Sequence, residues 1–248
     1  PNMRRFGLIG RPLGHSLSQR YFEKKFAAEG IDDACYNLYE LPDITALENL
    51  ISAVDGLCGL NVTIPYKQSV IPYLDSTDDE AAAVGAVNCI RISNGHLRGY
   101  NTDIEGIRST LTTLLAQRSI DRALVLGSGG AAHAVRYVLS ESRIPCLIVS
   151  RDRSRGDIAY EDIDAGILAA HQLVVNATPA GMWPHIDRCP PLPYDMISPR
   201  HAFFDLVYNP EPTQAMTRFA TSGAAVAGGM EMFARQAEAS WRIWSSAD

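Results

Sequence analysis

The chain contains no Cys-x-x-Cys pair, and its five cysteines, Cys35, Cys58, Cys89, Cys146 and Cys189, are odd in number and widely spaced. Such spacing fits neither a disulfide framework nor a zinc site, and it suits free thiols in a reducing cytoplasm. The six histidines do not cluster either, so no metal is expected. Long apolar runs are also missing. The patch after Arg4 and Arg5 stops at Arg11, too short for a secretory signal and far below the roughly 20 apolar residues of a membrane span. Positive charge is not in excess. With 22 Lys and Arg against 28 Asp and Glu, the formal net charge is −6, which argues against nucleic-acid and anionic-membrane partners, because both bind cationic surfaces. No internal repeat or low-complexity tract occurs. A monomer and a homodimer both remain open.

What is present is an ordinary globular composition, 46% hydrophobic and 20% charged over 248 residues, enough for one large α/β domain or two small ones. Apolar strand candidates alternate with helical patterns: Phe6–Gly10 and Tyr21–Gly30, Ala34–Tyr39 and Ile44–Val54, Gly59–Val62 and Lys67–Leu74. That rhythm predicts a mostly parallel sheet covered by helices. Ser93-Asn94-Gly95 between Cys89–Ile92 and His96–Tyr100 reads as a hairpin turn. A helix from about Ile104 to Arg118 leads to a second unit, with strands Arg122–Leu126, Cys146–Val149, Gln172–Asn176 and Ala202–Asp205 and a helix over Ala131–Ser142. A closing helix carries Met230, Phe233, Ala237, Trp241 and Trp244 on one stripe, expected to pack into the core. Two α/β domains are predicted, residues 1–103 plus 229–248 and residues 104–228, with the ligand site in an interdomain cleft.

The sharpest local signal is Leu124-Val-Leu-Gly127-Ser128-Gly129-Gly130-Ala131-Ala132, a GxGxxA run directly after a strand and before a helix. Gly127 permits the tight turn, Gly129 lets the backbone approach a pyrophosphate, and Ala132 lets the helix sit close to the strand. The phosphates then meet free N–H groups and the positive end of the helix dipole. The domain of residues 104–228 is thus read as Rossmann-like. A NAD-selective site usually has an acidic residue at the end of the next strand. Here that strand runs into Ser150-Arg151-Asp152-Arg153-Ser154-Arg155. Forked guanidiniums suit a 2′-phosphate, so NADP is the expected cofactor.

The first half carries four polar clusters: Gly10-Arg-Pro-Leu-Gly-His15-Ser16-Leu-Ser18, Gly59-Leu-Asn61-Val-Thr63-Ile-Pro65-Tyr-Lys67, Gly85-Ala-Val-Asn88 and Gly99-Tyr-Asn101-Thr102-Asp103-Ile-Glu-Gly106. Each adjoins a strand end, where open α/β sheets bind ligands. Their hydroxyls, amides, lysine and aspartate suit a small polyhydroxy carboxylate. In this order the clusters resemble the shikimate dehydrogenase family. The resemblance continues through the Gly127 turn, Asn176-Ala-Thr178-Pro-Ala-Gly181-Met182, Asp205-Leu-Val-Tyr208-Asn-Pro and Gly229-Met-Glu-Met232-Phe-Ala-Arg-Gln236-Ala, and so covers nearly the whole chain.

The resemblance implies reversible, NADP-dependent reduction of 3-dehydroshikimate to shikimate, in aromatic amino-acid precursor synthesis. By matching positions it makes Lys67 and Asp103 the catalytic pair and residues 1–103 plus 229–248 the substrate domain. Ser16 and Ser18 match ligands of the substrate carboxylate. Thr63, Asn88, Tyr208 and Gln236 match positions that hold the ring hydroxyls and carboxylate. Gly127, Ser128, Gly129, Gly130, Ala131, Ser150, Arg151, Arg155, Thr178, Leu206, Gly229 and Met232 match positions around the cofactor. Gln19, Cys89, Ser150 and Glu231 depart from the usual family residues.

The chemistry supports the pair independently. As hydride reaches a ketone carbon, negative charge grows on oxygen and a proton must arrive; a lysine ammonium supplies both. An aspartate can orient that lysine and accept a hydrogen bond from a ring hydroxyl. His15 is expected to buttress Ser16 and Ser18. Two alternatives stand beside this reading: a quinate or dual quinate/shikimate dehydrogenase, and a non-catalytic dinucleotide sensor.

Overall fold

A computed structural model describes residues 3–246. The chain divides into two compact units, one built from the stretch up to Thr102 together with the stretch from Ala237 on, the other Asp103–Gln236. Pro1, Asn2, Ala247 and Asp248, which the sequence assigns to the first domain, lie outside the described residues.

In the first unit, alternating side chains of β1 (Arg4–Gly10) build two cores on opposite faces of one sheet. Phe6 and Leu8 pack with Phe22 and Phe26 of α1 (Ser18–Glu29), Tyr36 of β2 (Ala34–Glu40) and Trp244. Ile9 faces the other way, toward Leu47 of α2 (Leu47–Ala53) and Leu60 and Val62 of β3 (Leu57–Val62). A period of two along a strand dictates this division. Gly30 ends α1 in the left-handed conformation at φ 65°. The chain continues through β4 (Ser76–Thr77), α3 (Asp79–Val84), β5 (Cys89–Ser93) and β6 (His96–Tyr100). The strand order is β2-β1-β3-β5-β6-β4, with β2, β1 and β3 mutually parallel and β5 antiparallel to both β3 and β6. Asn94 and Gly95 take positive φ, 50° and 77°, as a tight hairpin turn requires.

The second unit contains α4 (Asp103–Leu115), β7 (Ala123–Leu126), α5 (Gly130–Glu141), β8 (Cys146–Val149), α6 (Ala165–Ala170), β9 (Leu173–Asn176), β10 (Ala202–Asp205), α7 (Gln214–Thr221) and β11 (Ala225–Ala227). Its sheet is wholly parallel, ordered β11-β10-β9-β7-β8. Short, mostly apolar strands suit a sheet buried on both faces. Phe203 of β10 stacks on Phe219 of α7 at 4.2 Å between centroids. The chain leaves β7 for β8 on one side and crosses to β9 on the other. That change of direction makes a switch point, where the carboxyl ends of β7 and β9 flank a crevice.

Three expectations need correction. Lys67–Leu74 is not a helix; it is a run of turns ending in a 3-10 turn over Ile71–Tyr73. Pro72 would lack its N–H and clash with the carbonyl of Gln68 in an α-helix there. Met230 does not join the buried stripe of α8 (Met230–Ser245): it is 41% exposed, whereas Phe233, Ala237 and Trp244 are buried. As the first residue of the helix it has no preceding turn to cover it. Finally, Asp103 and residues 229–236 group with the second unit. For residues 229–236 the neighbours explain it: Gly229 N–H donates to Val207 O at 3.2 Å, and Phe233 lies 4.6 Å from Tyr208.

No helix among the described residues is long and apolar enough to cross a membrane. Among them, no group of three or more His, Cys, Asp or Glu is placed to hold a metal ion.

Candidate active site

The first unit gathers its polar clusters at the carboxyl ends of β1 and β3. The loop after β1 is held by Arg11 N–H donating to Ile64 O at 3.0 Å and by Leu13 N–H donating to the Glu40 carboxylate at 2.9 Å. A Cβ on Gly10 would collide with the Thr63 methyl, so the segments carrying Ser16 and Thr63 are packed side by side. Ser18 opens α1 and is buried; its N–H donates to Ser16 Oγ at 3.2 Å. Burial holds the His15 imidazole below its ordinary pKa, which favours the neutral ring.

Lys67 follows β3 on the turn begun by Thr63, whose carbonyl accepts from Tyr66 N–H at 2.9 Å. The Tyr66 hydroxyl anchors that turn to Leu41 O at 2.8 Å, and Lys67 O accepts from Val87 N–H at 2.7 Å. The lysine backbone is thereby tied to the Gly85–Asn88 cluster. Asn88 is buried, and its amide brackets Thr102: Oδ1 accepts from Thr102 N–H at 2.6 Å and Nδ2 donates to Thr102 Oγ1 at 2.9 Å. Motif clusters far apart in sequence thus share one polar network. It extends through Ser240 Oγ, 3.2 Å from Thr102 Oγ1, to Asn61 Nδ2 at 2.8 Å and from Asn61 Oδ1 to the Tyr36 hydroxyl at 2.9 Å. Sequence reading missed Tyr36, Asn61 as a linker, and Ser240. Only a serine on the apolar stripe of a helix could have signalled the last of these.

In the second unit, the Gly-rich turn lies where the sequence puts it, between β7 and α5. Gly127 has φ 106°, and a Cβ there would lie 3.0 Å from Ala177 O, so fold and close approach both demand glycine. Gly129 differs. It is the extended N-cap residue of α5, it has no side chain to cap that helix, and among the described residues a Cβ on it would meet nothing within 4 Å. No described residue fills that space, which fits a turn shaped for a pyrophosphate at a helix N-terminus. Ala132 is buried where α5 meets the sheet.

Ser150, just past β8, has its Oγ 3.3 Å from Ser128 Oγ and accepts from Asp152 N–H at 3.1 Å. The three arginines that follow are not equivalent. Arg153 is committed to Asp162 through two hydrogen bonds of 2.8 and 2.9 Å. Arg155 reaches Ser128 O at 3.4 Å. Arg151 is exposed and makes no hydrogen bond or ion pair among the described residues. Thr178, after β9, borders the turn at Gly127, where a Cβ would lie 3.0 Å from its methyl.

A second group in this unit joins Asp103, Leu206, Tyr208, Gly229, Met232 and Gln236. Asp103 is buried as the first residue of α4. Burial first, and then the negative charge of Asp103, push the Tyr208 phenol up to about 12, so it is a donor at neutral pH. A Cβ on Gly229 would collide with Leu206 O. Buried Met232 packs against Gly106, whose Cβ would lie 2.7 Å from Met232 Cγ, and Gln236 lies half-buried one turn further along α8.

A glycine turn at the switch point of a parallel sheet, with an unpaired arginine at the adjacent strand end, is the architecture of a dinucleotide-binding α/β protein. The family model for the shikimate dehydrogenase substrate binding domain matches residues 8–90. The shikimate dehydrogenase (NADP(+)) of Clostridium beijerinckii is 37% identical over 252 residues, covering 96% of this chain and 91% of that protein. The chain belongs to the shikimate dehydrogenase family. Among solved structures, shikimate 5-dehydrogenase of Thermus thermophilus in complex with NADP(H) and shikimate superposes with a TM-score of 0.84 at 28% identity, over 98% of this chain and 94% of that one. Quinate dehydrogenase of Corynebacterium glutamicum in complex with NAD gives 0.82 at 27% identity, over 99% and 94%.

Proposed function

We propose that this chain is an NADP-dependent shikimate dehydrogenase that interconverts 3-dehydroshikimate and shikimate. The observation that carries the reading is the kinship with a shikimate dehydrogenase (NADP(+)), 37% identity over 96% of the chain. The open space at Gly129 and the unpaired Arg151 support a phosphorylated dinucleotide. Gly127 to Ala131 would hold its pyrophosphate, Arg151 and Arg155 its 2′-phosphate, with Thr178, Leu206, Gly229 and Met232 beside it. When bound, NADPH supplies the hydride that reduces the substrate ketone.

The protein's part is to bind, orient and protonate. Lys67 Nζ donates the proton that the carbonyl oxygen needs as it becomes a hydroxyl, and its positive charge stabilises the oxyanion that develops. Asp103 accepts a hydrogen bond from a ring hydroxyl. Ser16 and Ser18 donate to the substrate carboxylate; Thr63, Asn88, Tyr208 and Gln236 hold the remaining polar groups. Serine at both 16 and 18 supports shikimate over quinate, and the five free thiols support a cytoplasmic setting.

The test follows nicotinamide absorbance while shikimate and quinate are each offered with NADP and with NAD. Rapid reduction confined to shikimate with NADP is the expected result. A quinate or NAD preference overturns the specificity and keeps the chemistry. Dinucleotide binding without turnover in any pairing overturns the enzyme reading in favour of a sensor.

A further inference from the structure

One buried carboxylate stands behind the nucleotide-facing loops of the second unit without a role in the chemistry above. Asp205 ends β10 and is fully buried. Its Oδ1 accepts from Asn176 Nδ2 at 2.9 Å and from Val207 N–H at 3.1 Å, and its Oδ2 accepts from the Thr213 hydroxyl at 2.7 Å. Asn176 sits directly across from it at the end of β9. Asn176 Oδ1 in turn accepts from the N–H and the hydroxyl of Thr178, at 3.1 and 2.6 Å. Thr213 is the N-cap of α7, accepting from Met216 N–H at 3.2 Å. Val207 passes the chain of contacts on, its carbonyl accepting from Gly229 N–H at 3.2 Å.

Three loops are thus referred to one side chain: that of Thr178 through Asn176, that of Leu206 and Tyr208 through Val207, and the start of α7 through Thr213. Burying a carboxylate is costly, and an apolar residue packs a strand end at less expense. What the carboxylate adds is direction, since each oxygen fixes its donors to within a few tenths of an ångström. Because Asp205 has no exposed surface, it acts only through the groups it holds.

We propose that Asp205 is a positioning residue for the dinucleotide, setting the loops that carry Thr178 and Leu206 and so governing NADP affinity without touching the ligand. This rests on the reading of the second unit as an NADP site.

The experiment measures NADP+ affinity by titration calorimetry, in the absence of turnover, beside the KM for shikimate. Asp205→Ala is expected to weaken NADP+ binding about tenfold, the scale of one or two misplaced hydrogen bonds, with shikimate KM moving less than about twofold. Asp205→Asn keeps the Oδ1 acceptor and places an amide nitrogen against the Thr213 hydroxyl, and is expected to restore wild-type affinity to within about threefold. If Asp205→Ala does not fold, Thr213→Val removes the hydroxyl that donates to Asp205 and caps Met216 N–H, and is expected to weaken NADP+ binding about threefold. Unchanged NADP+ affinity in the folded variant overturns the proposal. So does a parallel rise in both constants, or an asparagine variant as damaged as the alanine one. A wild-type protein that binds NADP+ but leaves shikimate untouched overturns the proposed reaction while the calorimetry still decides this inference. A wild type that does not bind NADP+ overturns both.

Discussion

Replacing Gly129 with alanine separates a glycine kept for a ligand from one kept for the fold. Gly129 has φ −91° and ψ −174°, a conformation open to any residue, and its Cβ would meet nothing within 4 Å. Two small effects then oppose each other in the free protein. Alanine restricts the unfolded chain, which stabilises by about 0.4–1 kcal/mol, and it is a poorer N-cap than glycine by a similar amount. The free variant should melt within a few degrees of wild type, since 1 kcal/mol corresponds to about 2–4 °C at this size. Gly127→Ala is the contrasting case. With φ 106° and Ala177 O at 3.0 Å from the new Cβ, it should lose about 1–3 kcal/mol with no ligand present.

The ligand reverses the order of harm. At a concentration one hundred times its Kd, NADP+ stabilises wild type by about 2.7 kcal/mol. A methyl group at Gly129 displaces the pyrophosphate from the α5 N–H groups, and losing a charge-assisted hydrogen bond costs about 1.5–3 kcal/mol, a ten- to hundredfold weaker Kd. At the same concentration the stabilisation then falls to between about 1.4 and 0.4 kcal/mol. Melting curves with and without NADP+ read both quantities. A Gly129→Ala protein that melts as low as Gly127→Ala when free, or that keeps the full ligand-induced rise, would refute the reasoning.

Arg151→Ala should narrow the preference for NADPH over NADH about ten- to hundredfold, because a charged hydrogen-bond partner of the 2′-phosphate is lost; Arg153→Ala, whose guanidinium is already bound to Asp162, should leave the ratio within about twofold. Lys67→Ala should lower kcat by about 10²–10⁴, whereas His15→Gln should leave readily measurable turnover; an equally deep loss at His15 would make it part of the proton chemistry. Burial pushes Asp205 up to about 6, so the folded chain holds this proton more tightly than the unfolded chain does. Its contribution to stability is full below about pH 4 and is lost as pH rises through about 6, by about 3 kcal/mol in all. Denaturant melts of Asp205→Asn across that range should lack this component, and an identical pH dependence in both proteins would rule it out.

The sheet of each unit is legible in sequence because the pattern that specifies a strand is local. Phe6, Leu8 and Ile9 of β1 alternate faces within a few residues, and Asn94-Gly95 declares its own turn. The misreadings lie where a pattern is equally local but ambiguous. Lys67–Leu74 has helical spacing, yet Pro72 interrupts it. The short β4, α3, α6, α7 and β11 carry too few residues to establish a period against their surroundings. Residues 230–236 open a helix whose later turns pack elsewhere, and no feature of the helix itself announces that its ring neighbours change from Tyr208 at Phe233 to Phe6 and Phe26 at Trp241.

The candidate site divides along the same line. Gly127 and Gly129 read alike in sequence, and only the structure separates a backbone that requires glycine from a space that no described residue fills. The arginines after β8 are three identical letters until Asp162, nine residues after Arg153, takes one of them out of play. Asp205 stands in a motif with no evident task, because Asn176 is brought to it only by pairing between β9 and β10, and the loop that returns Thr213 to it has no regular period. Groups that must touch a ligand lie at strand ends, and that position can be inferred from the alternation of strand and helix. Groups that hold those residues in place are recognisable only once the strands have neighbours, and a motif therefore identifies the contact surface before it identifies what keeps that surface in register.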